Sequence, residues 1–314
     1  LIWGNTISPA RDIQAASQAR LLLDEVSTVN VASYFAPTLK MAEAFYSVNG
    51  VPIEEDNTYD YAGRYNLRTA VTAEKYNIRP GGQTAALHFD REPRFYASLG
   101  FHEGAWFGQG RTNDEDLYYV QGLPGQPAAQ RSQDRYSVTG YWSKKLVNYK
   151  NAMSATAAYQ IDLYPFPEMR LADLYLLYAE ALNESNPGHE DILIYLNLIR
   201  ERAGLSSVEQ SWTEFSKFPS RYQTKEGLRE IIRRERQIEL AFEGSRFWDV
   251  RRWKTAETEQ NQPIRGWNIT KTTVDQYFQD LILFNQTFRK RDYLWPIKES
   301  TLLANDKLVQ NPGW

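Results

Sequence analysis

The chain has no cysteine in 314 residues, and its three histidines stand at 88, 102 and 189. No disulfide framework, thiol nucleophile or cysteine metal site is therefore available. No apolar run approaches the roughly 18 residues that a membrane span needs. An excess of one charge is also missing. Thirty-six Lys and Arg against 39 Asp and Glu leave a net charge of −3, which is not the basic footprint of a nucleic-acid binder. The motifs of cofactor chemistry are broken where they begin. Gly108-Gln109-Gly110 lacks the third glycine and the following helix of a dinucleotide fingerprint. His102-Glu103 has Trp106 where a zinc-protease helix needs its second histidine. Asn113-Asp114-Glu115-Asp116 lacks the glycine and distal glutamate of a calcium loop and reads as a solvated acidic turn. No Gly-x-Ser-x-Gly elbow occurs. No cofactor and no metal are expected. Carboxylates are abundant, however, and a glycosidase pair is defined by a separation of about 5–9.5 Å that sequence does not supply.

What is present is aromatic and apolar. Hydrophobic residues make up 42% of the chain and aromatics 14%, with 20 Tyr and 9 Trp, enough for a packed core in one large domain or two small ones. The stretch from Thr224 to Trp253 organises the rest. Thr224 is placed to cap a helix with Glu226 in its first turn. Leu228, Ile231, Ile232, Ile238 and Phe242 recur at helical spacing, and Gly244 stands where a C-cap wants positive φ. Arg229, Glu230, Arg233, Arg234, Glu235, Arg236 and Glu239 interleave both signs of charge, as internal pairing requires. Arg246, Trp248 and Asp249 follow as structural anchors, with a binding surface for an anionic or sugar ligand as the alternative.

Upstream, Ser8-Pro9 has the form of an N-cap followed by an N1 proline, opening a helix through Ile13, Ala16 and Leu23; an irregular segment over 1–33 is the alternative. Thr38 caps a short helix that stops at Asn49-Gly50. Residues 51–84 read as loop with one helical turn around 68–76. Alternation from Arg94 to His102 predicts a strand, and 141–149 its partner, with Val138, Trp142 and Val147 facing inward. Pro165 and Pro167 precede a helix with Leu171, Leu174, Tyr175, Tyr178 and Leu182 on its apolar face. Asn186-Pro187-Gly188 turns into a second helix carrying Leu193, Leu196, Ile199 and Ala203, closed by Gly204. Together they predict a tetratricopeptide-like αα-hairpin, against which the 224–243 helix stacks. Trp212, Phe215 and Phe218 read as anchors, and 274–284 as a further helix.

Four stretches resemble one family. RRERQIELAFEGSRFWDVRRW, MRLADLYLLYAEALNES, REPRFYASL and YLWPIKESTLLANDKLVQNPGW are similar, in order and spacing, to elements of the SusD/RagB family of outer-surface glycan-binding lipoproteins. Glu92 replaces the usual Asp of D-P-R-F-Y, Lys298 the second Pro of L-P-I-P, and Trp314 the final Tyr. The resemblance runs from about Tyr34 to Trp314. It implies a mostly α fold of tetratricopeptide-like hairpins with a loop-rich lobe carrying short strands: an irregular segment at 1–33, a ligand-binding lobe at 34–165, and helical scaffold with C-terminal segment at 166–314. It also implies a fragment of a longer precursor whose lipid anchor and further helical hairpins lie outside this chain. The implied function is capture of an oligosaccharide, without turnover, at the extracellular face of the outer membrane, beside a TonB-dependent, SusC-like transporter. A secreted glycoside hydrolase and a peptide-binding member of the family are the alternatives.

Sugars have polar edges and apolar C–H faces, so their sites combine flat aromatics with hydrogen-bonding side chains. The loop after the predicted strand supplies both. Its expected ligand residues are Trp106, Phe107, Gln109, Arg111, Asn113, Asp114, Tyr118 and Tyr119, with Gln121 beside them. Alternatively, its aromatics belong to the core or hold the loop down.

Overall fold

In the computed structural model, which describes residues 1–7 and 10–314, Thr224 Oγ1 accepts the Gly227 amide at 3.1 Å and opens the Lys225–Glu239 helix. Leu228, Ile231, Ile232 and Ile238 are buried along one face, as their spacing predicts. The helix does not continue to 243. Phe242 is left-handed at φ 68°, and Gly244, at φ 86°, is the N-cap of a second helix, Ser245–Arg252, rather than the C-cap of the first. A helix end leaves carbonyls without partners. Here Arg170 Nη2 and Lys145 Nζ donate to the Glu239 carbonyl at 3.0 and 2.7 Å, and Arg170 also grips the Glu243 carboxylate at 2.7 and 2.8 Å. The stop is thus made by partners distant in sequence.

Of the interleaved charges, Glu235, Arg236 and Glu239 pair inward, while Arg229 and Glu230 pair with Glu184 and Arg221 toward solvent. Glu235 is buried between Arg94 Nη1 at 2.6 Å and Arg200 Nη1 at 3.4 Å. Arg94 also reaches Glu92 at 2.7 Å and Glu239 at 3.2 Å. Asp249 is buried and accepts both Arg236 Nε and Nη2 at 3.1 Å, with Arg252 Nε at 2.9 Å. Arg246 pairs with Glu259. Trp248 is no anchor: it is 62% exposed. Trp253 holds this helix end instead, its indole N–H donating to Glu180 at 2.7 Å beneath the Arg233 guanidinium.

The hairpin forms from Leu171–Ser185 and Asp191–Arg202, turning at Gly188 with φ 86°. Its first helix buries Leu176, Ala179 and Asn183, while the predicted Leu171, Leu174 and Tyr178 are exposed. Leu and Tyr occur nearly all round this helix, so its period does not select a face; packing against the Lys225–Glu239 helix does. Val208–Phe215 is a further helix with Trp212 buried, whereas Phe218 is exposed.

The loop-rich lobe carries short antiparallel pairs. Thr38 caps Leu39–Ala44, accepting the Met41 amide at 3.2 Å. Leu67–Thr69 pairs with Gln83–Ala85, flanking a 3-10 turn at Thr72–Glu74. Leu99–Phe101 pairs with Tyr141–Ser143 in the expected partnership; Trp142 is buried, Val147 half-buried and Val138 exposed. The predicted strand from 94 begins instead as a helix, Pro93–Ser98, because Glu92 takes the cap position and Pro93 the first turn, where proline is favoured. The predicted 274–284 helix is only Val274–Tyr277; Asp280–Asn285 is a strand paired with Pro263–Trp267. The helix at Ala10–Ser17 stops short of Leu23; its Ser8-Pro9 start lies outside the described residues.

One buried cluster joins Leu39, Phe45, Tyr46, Phe95 and Phe101 to Leu176, Leu196 and Ile232, so the core crosses between the lobe and the helices. A second joins Trp106, Trp142, Tyr118, Val120 and Met153 to Ala19, Leu21 and Val31. The architecture is mostly α with short two-stranded sheets. Among the described residues no helix is long and apolar enough to cross a membrane.

Candidate functional site

The loop after Phe101 is built as a pair of short strands and a glycine turn. Ala105–Trp106 pairs with Tyr118–Tyr119. Ala105 N–H donates to Asn77 at 2.9 Å and Tyr119 Oη to the Lys75 carbonyl at 3.0 Å, tying the loop to the 72–77 turn. Gly108, Gln109 and Gly110 follow at φ 87°, 59° and 91°. This left-handed run lets Gly108 lie on the Tyr149 backbone, where an added Cβ would come within 2.2 Å of the Tyr149 carbonyl oxygen. Gln109 then locks to the 148–153 segment: its amide donates to Tyr149 O and its side chain to Asn148 O, both at 3.0 Å.

That clamp sorts the expected ligand residues. Trp106 is 1% exposed, with Gln109 and Tyr118 also buried; in this arrangement none of the three offers a face to a ligand. Tyr118 Oη donates to Met153 O at 3.3 Å, and Arg111 lies over its ring at 3.9 Å while pairing with Asp116 at 3.0 Å. Tyr119 and Gln121 are half-buried, and Asn113 and Asp114 are exposed. Phe107 is 45% exposed, and the clamp sets it beside Tyr149, 54% exposed, with ring centroids 6.1 Å apart and planes inclined by 31°. Asp114 accepts from Tyr76 Oη at 3.2 Å, and Glu115 pairs with Lys75 at 3.0 Å. Tyr149 and Tyr76 were not legible as site residues. Tyr149 falls where a strand is predicted, and Tyr76 belongs to the loop only through contacts distant in sequence. The result is an exposed aromatic ledge with amide, carboxylate and guanidinium groups on the same loop.

His102, at the loop's root, is buried. Its Nδ1 accepts the Gly122 amide at 3.1 Å, and Nε2 lies 3.7 Å from Glu103. Burial, reinforced by the charge of Arg79, pushes it down to about 4. The unfolded imidazole titrates near 6.5. As pH falls, the unfolded chain therefore takes up the proton first, so stability is full above about pH 6.5 and lost from there toward pH 4. Urea unfolding at pH 7.5 and 5 should differ by about 2 kcal/mol through this group, and His102→Gln should remove part of the difference. His88, buried between Thr84 and Tyr141 and also pushed down by burial, adds in the same direction.

The profile of the SusD family matches residues 6–314. The chain belongs to the SusD family. SusD-like protein P2 of Formosa agariphila is 34% identical over 147 residues, which is 46% of this chain and 25% of that protein. The structure of BT4246 in selenomethionine form superposes with a TM-score of 0.81 at 23% identity, over 100% of this chain and 52% of that one. A SusD-like protein from Bacteroides fragilis NCTC 9343 gives 0.62 at 28% identity, over 89% of this chain and 47% of that one. This chain thus spans about half the length of those two structures. The shared fold carries the hairpin scaffold and the loop-rich lobe alike.

Proposed function

We propose that this chain captures an oligosaccharide at the cell surface, holds it without cleaving it, and presents it to a TonB-dependent, SusC-like transporter in the outer membrane. The observation that carries the reading is the Phe107–Tyr149 pair: two exposed rings, fixed by the glycine turn beneath them. An exposed aromatic pair without a core to join is suited to the C–H faces of sugar rings. Asn113, Asp114, Arg111 and Tyr119 lie on the same loop and bring hydrogen-bonding groups for hydroxyls. Membership of the SusD family supports the surface location and the transporter as partner.

Calorimetric titration against an oligosaccharide panel tests the reading. Phe107→Ala and Tyr149→Ala should each weaken the best ligand severalfold, on the order of 1 kcal/mol. Melting temperature should shift little, as for most surface substitutions. The same mixtures should release no reducing ends. Turnover abolished by a single Asp or Glu substitution would replace this reading with a glycosidase. Binding of peptides alone would replace its ligand class.

A further inference from the structure

A cavity of about 490 Å³ opens elsewhere on the same lobe, between the 47–60 loop and the Leu67–Thr69 strand. Tyr59 and Phe215 give it an aromatic wall, and Asn49, Asp60, Arg68 and Asp90 its polar groups. The wall is braced from behind. Asp56 is buried and accepts Ser47 Oγ at 2.5 Å, Asn49 Nδ2 at 3.0 Å, and the Thr58 amide and hydroxyl both at 2.7 Å. Its oxygens are taken up in holding the loop. Asn49 Nδ2 is likewise committed, bonding Thr58 Oγ1 at 2.8 Å as well. Arg68 is spent on its neighbours: it stacks on Phe89 at 4.1 Å, bonds Asp90 Oδ2 at 2.9 Å and bonds Glu74 at 2.7 Å.

On the side chains other than Arg68, what stays free is of one kind. Asp60 uses Oδ1 for the Gly63 amide at 2.9 Å, and Asp90 uses Oδ2 for Arg68. Among the described residues, Asp60 Oδ2, Asp90 Oδ1 and Asn49 Oδ1 have no donor. Against these three acceptors Arg68 keeps N–H groups on Nε, Nη1 and Nη2, but its charge is already paired with the Asp90 and Glu74 carboxylates. Asp56, Asp60 and Asp90 outnumber the single Arg68 in formal charge. Such a lining bonds hydroxyls, which donate to carboxylates, and repels carboxylate or sulfate groups, which bring more acceptors and more negative charge.

We propose that this cavity is a subsite for neutral sugar residues and that it excludes acidic ones. The inference rests on the glycan-capture reading but on different residues. Asp60 and Asn49 accept hydroxyl protons while Tyr59 and Phe215 lie against the ring. The Leu67–Thr69 strand and the following turn run from this cavity to Lys75 and Tyr76, beside the Phe107 loop, so one backbone segment supports both places.

The test uses the full 314-residue chain and matched probes. β-1,4-Mannohexaose and β-1,4-hexamannuronate differ only at C6; free and methyl-esterified hexagalacturonate differ only by the methyl groups that remove the charge. These are placed on an array with other neutral hexasaccharides. Neutral or esterified probes should bind at least tenfold tighter than their acidic counterparts. Asp60→Asn and Asn49→Ala should each weaken neutral ligands at least fivefold, and Asp60→Asn should narrow the neutral-to-acidic ratio. A melting curve for each variant confirms that the loop remains folded. Equal binding of acidic and neutral probes overturns the subsite. So does unchanged affinity in both cavity variants while Phe107→Ala and Tyr149→Ala lose binding; the capture reading then stands without this cavity. No saturable binding of any glycan overturns both.

Discussion

Glu235→Ala should destabilise the chain by about 3–5 kcal/mol, the cost of breaking a buried ion pair from one side. Glu235 is fully buried, and so is Arg200, which it meets at 3.4 Å. Its other oxygen accepts Arg94 at 2.6 Å. Removing the carboxylate leaves two guanidinium groups facing one another out of water. Burial by itself would lower Arg94, but Glu235, Glu92 and Glu239 together hold it above its ordinary value. Burial would raise Glu239, yet Arg94, Arg202 and Arg170 hold it below. Arg94 and Glu239 are thus held in their charged forms, while burial pushes the Glu92 carboxyl up. The cluster also joins elements distant in sequence: Arg94 from the Pro93–Ser98 helix, Arg200 from the hairpin, Glu235 from the central helix. Glu235→Gln keeps the shape and part of the hydrogen bonding, and should fall between wild type and Ala. By contrast Glu115→Ala, at an exposed pair with Lys75, should leave stability nearly unchanged. Urea titration of the three variants checks the order. A Glu235→Ala protein as stable as wild type would mean that water reaches these arginines.

The elements that sequence made legible are those fixed by neighbours in the chain. Thr224 and Thr38 cap their helices because a hydroxyl needs only the amide three residues on. Gly188 and Gly204 turn because positive φ is a local demand. Glu235, Arg236 and Glu239 of the central helix are paired because buried charges must be. What was not legible depends on distant partners. The helix from Lys225 stops at Glu239 because Arg170 and Lys145 take its last carbonyl. Asp280–Asn285 is a strand because Pro263–Trp267 lies beside it. The hairpin's buried face is chosen by the helix that packs on it. In the candidate site the loop itself was legible, as a stretch without period after a strand. Which of its aromatics face solvent was not, since exposure is decided by the 148–153 segment folding over Gln109.

Trp106 shows the consequence most sharply. An apolar pair outside a periodic element reads as a ligand platform, and Phe107 alone fits that reading. Trp106 points the other way, into a core with Trp142, Tyr118, Val120 and Met153. The cavity for its ring is made by Gly100, where an added Cβ would come within 2.5 Å of the indole. Trp106→Ala should therefore cost about 3–5 kcal/mol, as large-to-small changes of a buried aromatic do. The melting temperature should fall by roughly 6–20 °C, taking about 2–4 °C per kcal/mol for a larger domain. Gly100→Ala should destabilise as well, because the indole is locked between Gly100 and Trp142 and overpacking typically costs about 1–3 kcal/mol. Thermal melts of both variants, beside glycan titration at a temperature where each remains folded, separate the two roles. A scaffold residue lowers the melting temperature and leaves affinity nearly intact while the fold holds. Trp106→Ala melting like wild type, with affinity lost, would return the indole to the ligand surface and require this loop to open when it binds.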